Sequence, residues 1–113
     1  MSTVIRSKIS IDNQFYISKY RYLELKNFCL QYDEWDPDDY RRGLLLSAIR
    51  ELDGWIQNYI LEAVTKGKAF PYLKTVKQIP CERDLYYKNY RKFFYLLSRK
   101  EIEQWKQMYE RSC

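Results

Sequence analysis

The sequence predicts an all-α fold, a small helical domain of four to five helices, and three observations carry that reading. Only three glycines and three prolines interrupt 113 residues. Apolar residues recur at threes and fours over long stretches, the spacing that gathers them on one face of a helix. Tyr, Phe and Trp make up 18% of the chain, so a single core packed through aromatic side chains is within reach of a chain of this length.

Residues 1–12 mix β-branched and polar types without a period and are expected to form an arm. Residues 13–66 read as an N-terminal helical support. Its first helix is expected over residues 13–35, where Tyr22, Leu25, Phe28, Cys29, Tyr32 and Trp35 keep helical spacing. The acidic stretch that follows contains Asp33, Glu34, Asp36, Asp38 and Asp39. A calcium loop requires alternating ligands, a glycine at its sixth position and a glutamate at its twelfth, and that pattern is missing. Asp36 followed by Pro37 fits a helix start instead, with Asp36 as the cap and carboxylates at the positive end of the dipole.

A second helix is expected over residues 38–66, its buried stripe running Leu45, Ala48, Ile49, Leu52, Ile56, Tyr59, Ile60, Ala63 and Val64 and its end marked by Gly67. Gly54 lies inside this run. It implies either a split near Asp53-Gly54 or a place where two helices approach closely.

Residues 68–112 have a different organisation. A two-turn helix is expected over 70–77, with Pro71 near its start, Phe70, Leu73 and Val76 facing inward, and Ile79-Pro80 as its stop. A longer helix opens at Cys81-Glu82-Arg83-Asp84, with Cys81 as a weak cap and Asp84 bonding back, and continues past Leu97 through Ile102, Trp105 and Met108. A short helix, a turn holding an apolar residue and a long basic helix is the order of parts in a helix-turn-helix.

Charge is polarised along the chain. Residues 1–65 hold eight Lys/Arg and ten Asp/Glu, whereas residues 66–113 hold twelve and five, balances of −2 and +7. A cationic half attracts a polyanion, with nucleic acid the commonest. Histidine is absent, which removes the usual zinc ligand and general base, so no enzyme, metal site or cofactor is expected. Cys29, Cys81 and Cys113 have no metal-ligand spacing and no disulfide pattern; Cys29 reads as core. No signal segment or membrane span is recognisable, so a cytoplasmic protein is expected.

Advancing 100° per residue along the long helix places Tyr86, Tyr90, Phe93 and Leu97 on one side and Lys88, Arg91, Lys92, Tyr95 and Arg99 on the other. The second group has the chemistry of a DNA contact surface: Lys88 and Arg91 reach base edges or phosphates, and Tyr87 and Tyr95 donate to phosphate oxygens. Arg83 stands at the helix start, where base contacts are usual. Lys66, Lys68, Lys74 and Lys77, on and just before the short helix, are assigned to phosphates. Of the aromatic run, Phe93 is assigned to the core and Tyr95 to the surface, which favours duplex over single-strand binding.

The segment from Phe70 to Arg99, through Tyr72-Leu73, Ile79-Pro80-Cys81-Glu82-Arg83-Asp84 and Tyr86-Tyr87-x-x-Tyr90-Arg91-Lys92-Phe93-Phe94, resembles the C-terminal helix-turn-helix of phage-encoded transcriptional regulators of the RinA/ArpU type, themselves similar to the fourth conserved region of sigma factors. Gln78 departs from that pattern, standing where a glycine is common. The resemblance implies a phage or prophage regulator that binds double-stranded DNA, with Arg83, Tyr87, Lys88, Arg91 and Lys92 on the DNA face. RNA polymerase or another host protein, and a second copy in a homodimer, are the further partners expected. The competing expectations are an adaptor or inhibitor of a host protein and a small terminase-like DNA-packaging subunit.

Overall fold

The computed structural model describes residues 15–112, so the arm expected over residues 1–12, the first positions of the expected first helix and the terminal Cys113 lie outside the described residues. Five α-helices and no strand are found among them. These are α1 (Lys19–Leu30), α2 (Tyr40–Arg50), α3 (Gly54–Lys66), α4 (Phe70–Thr75) and α5 (Arg83–Ser112), with a 3-10 turn at Tyr32–Glu34 after α1. The 30 residues of α5 rise by about 45 Å. They set the 46 Å long axis of the molecule.

The first expected helix is shorter than its apolar pattern. Ser18 caps α1 by accepting from the Arg21 amide at 3.1 Å, and the helix gives way to the 3-10 turn that swings Trp35 into the core. Leu25 and Cys29 are buried by the same face.

Asp36 is not the cap of the next helix. Asp39 is: its Oδ1 accepts from the Arg41 amide at 2.9 Å and from Arg41 Nε at 3.0 Å, while Oδ2 pairs with the same guanidinium at 2.7 Å. Three bonds to one residue outweigh a cap from Asp36. The Arg41 side-chain bonds, then its amide, hold the Asp39 carboxyl down at about 2.

The expected long helix divides where Gly54 stands. α2 ends at Arg50, and α3 begins at Gly54 after a short break. A Cβ at Gly54 would meet nothing within 4 Å, so close packing is not its reason. Gly67 ends α3 in the left-handed region at φ 69°, and the Lys68 amide then reaches the Ala63 carbonyl at 3.0 Å.

α4 stops at Thr75, two residues before the expected end. Phe70 and Leu73 are buried, but Val76 is 60% exposed, which corrects its inward placement. The core position passes to Ile79: Gln78 takes φ 56°, turning the chain back so that the Ile79 amide bonds the Leu73 carbonyl at 3.0 Å. Cys81 is buried two residues ahead of α5 and does not cap it. Lys74 closes the turn from the other side, its ammonium bonding the Cys81 carbonyl at 3.1 Å and Glu82 at 3.3 Å.

α5 lies across the rest of the bundle, against α1, α2 and α3. Its inner face buries Tyr86, Phe93, Phe94 and Leu97. Tyr22 of α1 packs edge-on against Tyr90 and Phe94, with centroids at 6.2 and 5.1 Å, and its hydroxyl bonds that of Tyr90 at 2.9 Å. One residue before Tyr22, Arg21 bonds the Ser98 hydroxyl at 2.9 Å, pairs with Glu101 at 2.8 Å and lies over the Trp105 ring at 5.2 Å.

Two stability changes follow. A left-handed non-glycine residue costs about 1–2 kcal/mol, offset by about 0.5–1 kcal/mol of glycine's extra chain entropy, so Gln78→Gly is expected to stabilise the fold by up to about 1 kcal/mol in urea unfolding. Asp39 has a depressed pKa, so its contribution is present above the ordinary carboxylate value of 3.8 and is lost as pH falls towards about 2. Asp39→Asn keeps an acceptor for the amide but has no charge to lose; melting temperatures measured from pH 5 to pH 2 should fall less steeply in the variant than in the parent.

Candidate nucleic-acid interface

The candidate surface is the outer side of α5. From Leu85 to Lys100 the chain has five cations, Lys88, Arg91, Lys92, Arg99 and Lys100, and no carboxylate. A helix with one face sunk in an aromatic core must put such charges on the other, because burying an unpaired ammonium or guanidinium is prohibitive. Lys88, Arg91 and Arg99 are exposed, and Lys92 and Tyr95 are half-buried along the same strip. Lys100 turns away and pairs with Glu51, the residue that follows α2.

The exposure expected of Tyr95 is therefore corrected. Phe15, just ahead of α1, packs on it with ring centroids 5.7 Å apart, and this contact covers part of the strip. Phe94, left unassigned by periodicity, is as deeply buried as Phe93. The azimuth of the true buried arc runs from Phe93 through Leu97 to Phe94 and Ser98, wider than the apolar residues at 86, 90, 93 and 97 alone suggest.

Two tyrosines carry guanidinium groups one turn away. Arg83 lies over Tyr87 at 5.3 Å and Arg99 over Tyr95 at 5.9 Å, both at i and i+4 spacing. Each ring thereby restricts a cation without neutralising it; Arg99 and Tyr95 lie on the cationic strip, whereas Arg83 and Tyr87 fall about 140° and 100° of azimuth from Lys88, Tyr87 packing on Phe70 of α4. From Arg83 to Arg99 the helix rises by about 24 Å.

Lys74 and Lys77 do not join this strip. Lys74 is occupied at the turn with Cys81 and Glu82, and Lys77 pairs with Glu62 of α3 at 3.5 Å. Both ion pairs are solvent-exposed, a kind worth at most about 1 kcal/mol, so they orient the ammonium groups without removing them from the surface. One cation escaped the sequence reading. Lys106 is exposed and stands 18 residues after Lys88, five turns on, hence on the same line of the helix; that period was the available signal.

Two carboxylates of the acidic stretch have structural roles. Asp39 caps α2, and Asp33 pairs with Lys66. No group of three or more Cys, Asp or Glu is placed to hold a metal among the described residues. Cys29 lies in the core, where desolvation pushes its thiol pKa up and disfavours the thiolate. None of the described helices is long and apolar enough to cross a membrane. No protein-family model, curated protein or solved structure matches the chain.

Proposed function

We propose that the chain binds duplex DNA through the outer face of α5 and acts as a transcriptional regulator of the phage type its C-terminal half resembles. The observation that carries this is the run from Leu85 to Lys100: five cations, no carboxylate, and one face buried while Lys88, Arg91 and Arg99 project from the other. Such a face neutralises phosphates on both sides of a groove and releases their counterions. Arg83 at the start of α5 supplies the base contact, with Tyr87 and Tyr95 donating to phosphate oxygens.

α4, the turn and α5 have the order of a helix-turn-helix. The seven residues 76–82 between them exceed the three or four usual for the motif. The turn is nonetheless fixed, by Ile79 in the core and by the bonds of Ile79 and Lys74. We therefore read α5 as the recognition helix, presented by a longer, clamped turn.

A second reading, a protein partner, has its own support. The last turns of α5 expose Ile102, Trp105 and Tyr109, with Glu103 and Glu110 beside them. This end is suited to a second copy or to a host protein such as RNA polymerase, and a small terminase-like ring is a variant of the same idea. Nuclease treatment separates the readings, because a protein complex survives it and a DNA-bridged one does not.

Reversing two charges tests the assigned face. Lys88→Glu with Arg91→Glu is expected to weaken retention on random duplex DNA by about 100-fold or more at moderate salt, with an unchanged far-ultraviolet circular dichroism spectrum. In the parent, log affinity should fall linearly with log salt, and Lys88→Ala should lower that slope by about 0.9. Unchanged retention in the double variant rejects the face.

A further inference from the structure

The outer side of α1 carries a second apolar stripe, on the face turned away from the core. α1 buries Leu25 and Cys29, with Tyr22 and Phe28 half-buried beside them. Advancing 100° per residue gathers Tyr20, Leu23, Asn27 and Leu30 within about 80°, and sets the centre of that group about 160° from Leu25 and Cys29. All four are exposed, Tyr20 by 82%, Leu23 by 42% and Leu30 by 44%. A single apolar residue on a surface needs no explanation. Three of them in line on a helix of 12 residues make a seam.

The order of residue types along the seam says what fits it. Positions 20, 23, 27 and 30 have heptad spacing, with Tyr20 and Asn27 at the first position of the heptad and Leu23 and Leu30 at the fourth. Leucine at the fourth position suits a two-stranded coiled coil, and a single asparagine at the first pairs with its counterpart, fixing register at a cost in stability. Such a seam is self-complementary, so a second copy of the same helix matches it. Charge then sets the direction. Lys19 and Lys26 each precede a first position, and Glu24 and Gln31 each follow a fourth. In a parallel pair Lys19 of one copy meets Glu24 of the other, and Lys26 comes beside Gln31. In an antiparallel pair Lys19 faces Lys26 and repels it. Glu24 is bonded by Arg21 of its own helix at 2.7 Å, but its side chain is 64% exposed and open to a second cation.

We propose that α1 pairs in parallel with α1 of a second copy through Tyr20, Leu23, Asn27 and Leu30, with Lys19 to Glu24 pairs along its edges. This goes beyond the DNA reading and does not rest on it. α1 rises about 18 Å, under two heptads, so the seam buries less than the roughly 1,200 Å² at which standard interfaces begin. The dimer is accordingly weak, with a Kd on the order of 100 μM. The end of α5 is the other apolar surface, but there Trp105 lies under Arg21 and Glu101 is paired with it, so that stripe is partly used within the chain.

Sedimentation equilibrium of the full chain, stripped of nucleic acid, over about 5 to 500 μM is the test. A reversible monomer-to-dimer equilibrium is expected. Leu23→Glu changes an exposed side chain, so the helical circular dichroism spectrum is retained, and should weaken association at least about 10-fold. Asn27→Leu removes the polar layer and should tighten it about 10-fold. Lys19→Glu reports direction: it weakens a parallel pair by facing Glu24 and tightens an antiparallel one by facing Lys26, and adding Glu24→Lys should recover the loss. The proposal is overturned by a chain monomeric throughout the range, by a dimer indifferent to Leu23→Glu, by an Asn27→Leu variant that associates no more tightly, or by a Lys19→Glu variant that associates more tightly. Association lost in Met108→Ser with Tyr109→Ser also overturns it, by placing the contact at the end of α5. With no DNA present, each of these results leaves duplex binding by the outer face of α5 unaffected.

Discussion

The packing of aromatic rings along one side of α5 decides which way that helix faces, and the remaining features of the surface follow from it. Phe93 and Phe94 pack at 5.0 Å, Tyr90 and Phe94 at 5.0 Å, and Phe70 and Tyr86 at 5.1 Å. Each such ring buries on the order of 150–250 Å² of surface, so turning the helix by even one quarter would expose several of them at several kcal/mol. With that face fixed inward, the side chains at 88, 91 and 99 are exposed on the outer side of the helix. The Tyr22 to Tyr90 hydroxyl bond adds direction to the packing, since leaving either hydroxyl unpaired in the seam costs about 1–3 kcal/mol. Desolvation and that bond together raise the Tyr90 pKa and keep the hydroxyl neutral.

Two further clamps act along the helix. Near its start, the turn holds α4 against α5 through the buried Ile79 side chain and the Lys74 bonds. Near its middle, Arg21 connects α1 to Ser98 and Glu101, with both charged side chains mostly buried at 16% and 12% exposure. A paired, largely buried guanidinium is geometrically demanding, because losing one partner strands the other charge. It therefore fixes the register of α1 along α5 more than it adds net stability. Beyond Glu101 the apolar residues Ile102, Met108 and Tyr109 are exposed, and Trp105 is half exposed beneath Arg21.

The helices themselves were legible wherever one face is apolar over several turns. Leu45, Ala48, Ile49, Ile56, Ile60, Ala63 and Val64 are buried at the spacing that announces them, and Gly67 ends α3 because left-handed backbone favours a residue without Cβ. The errors lie where a contact between distant residues overrides a local pattern. Asp36 before Pro37 reads as the cap in sequence, but the cap is Asp39, on which the Arg41 guanidinium folds back. Val76 keeps helical spacing with Leu73, but Gln78 reverses the chain and Ile79 fills the place Val76 would have taken. The cationic side of α5 was readable by azimuth. The Phe15 ring over Tyr95 was not, nor was the Arg21 to Ser98 bond across 77 residues of sequence, since periodicity carries no information about partners on other helices.

Mapping a duplex onto the folded chain addresses the central claim most directly. Amide and side-chain resonances of isotope-labelled protein would be followed during titration with a short double-stranded DNA at physiological salt. Perturbations concentrated at Arg83, Lys88, Arg91 and Arg99, with α1 and α3 unmoved, are the result expected of a DNA-reading outer face. Perturbations centred on Ile102, Trp105 and Tyr109, or none at all along residues 83–99, would contradict it.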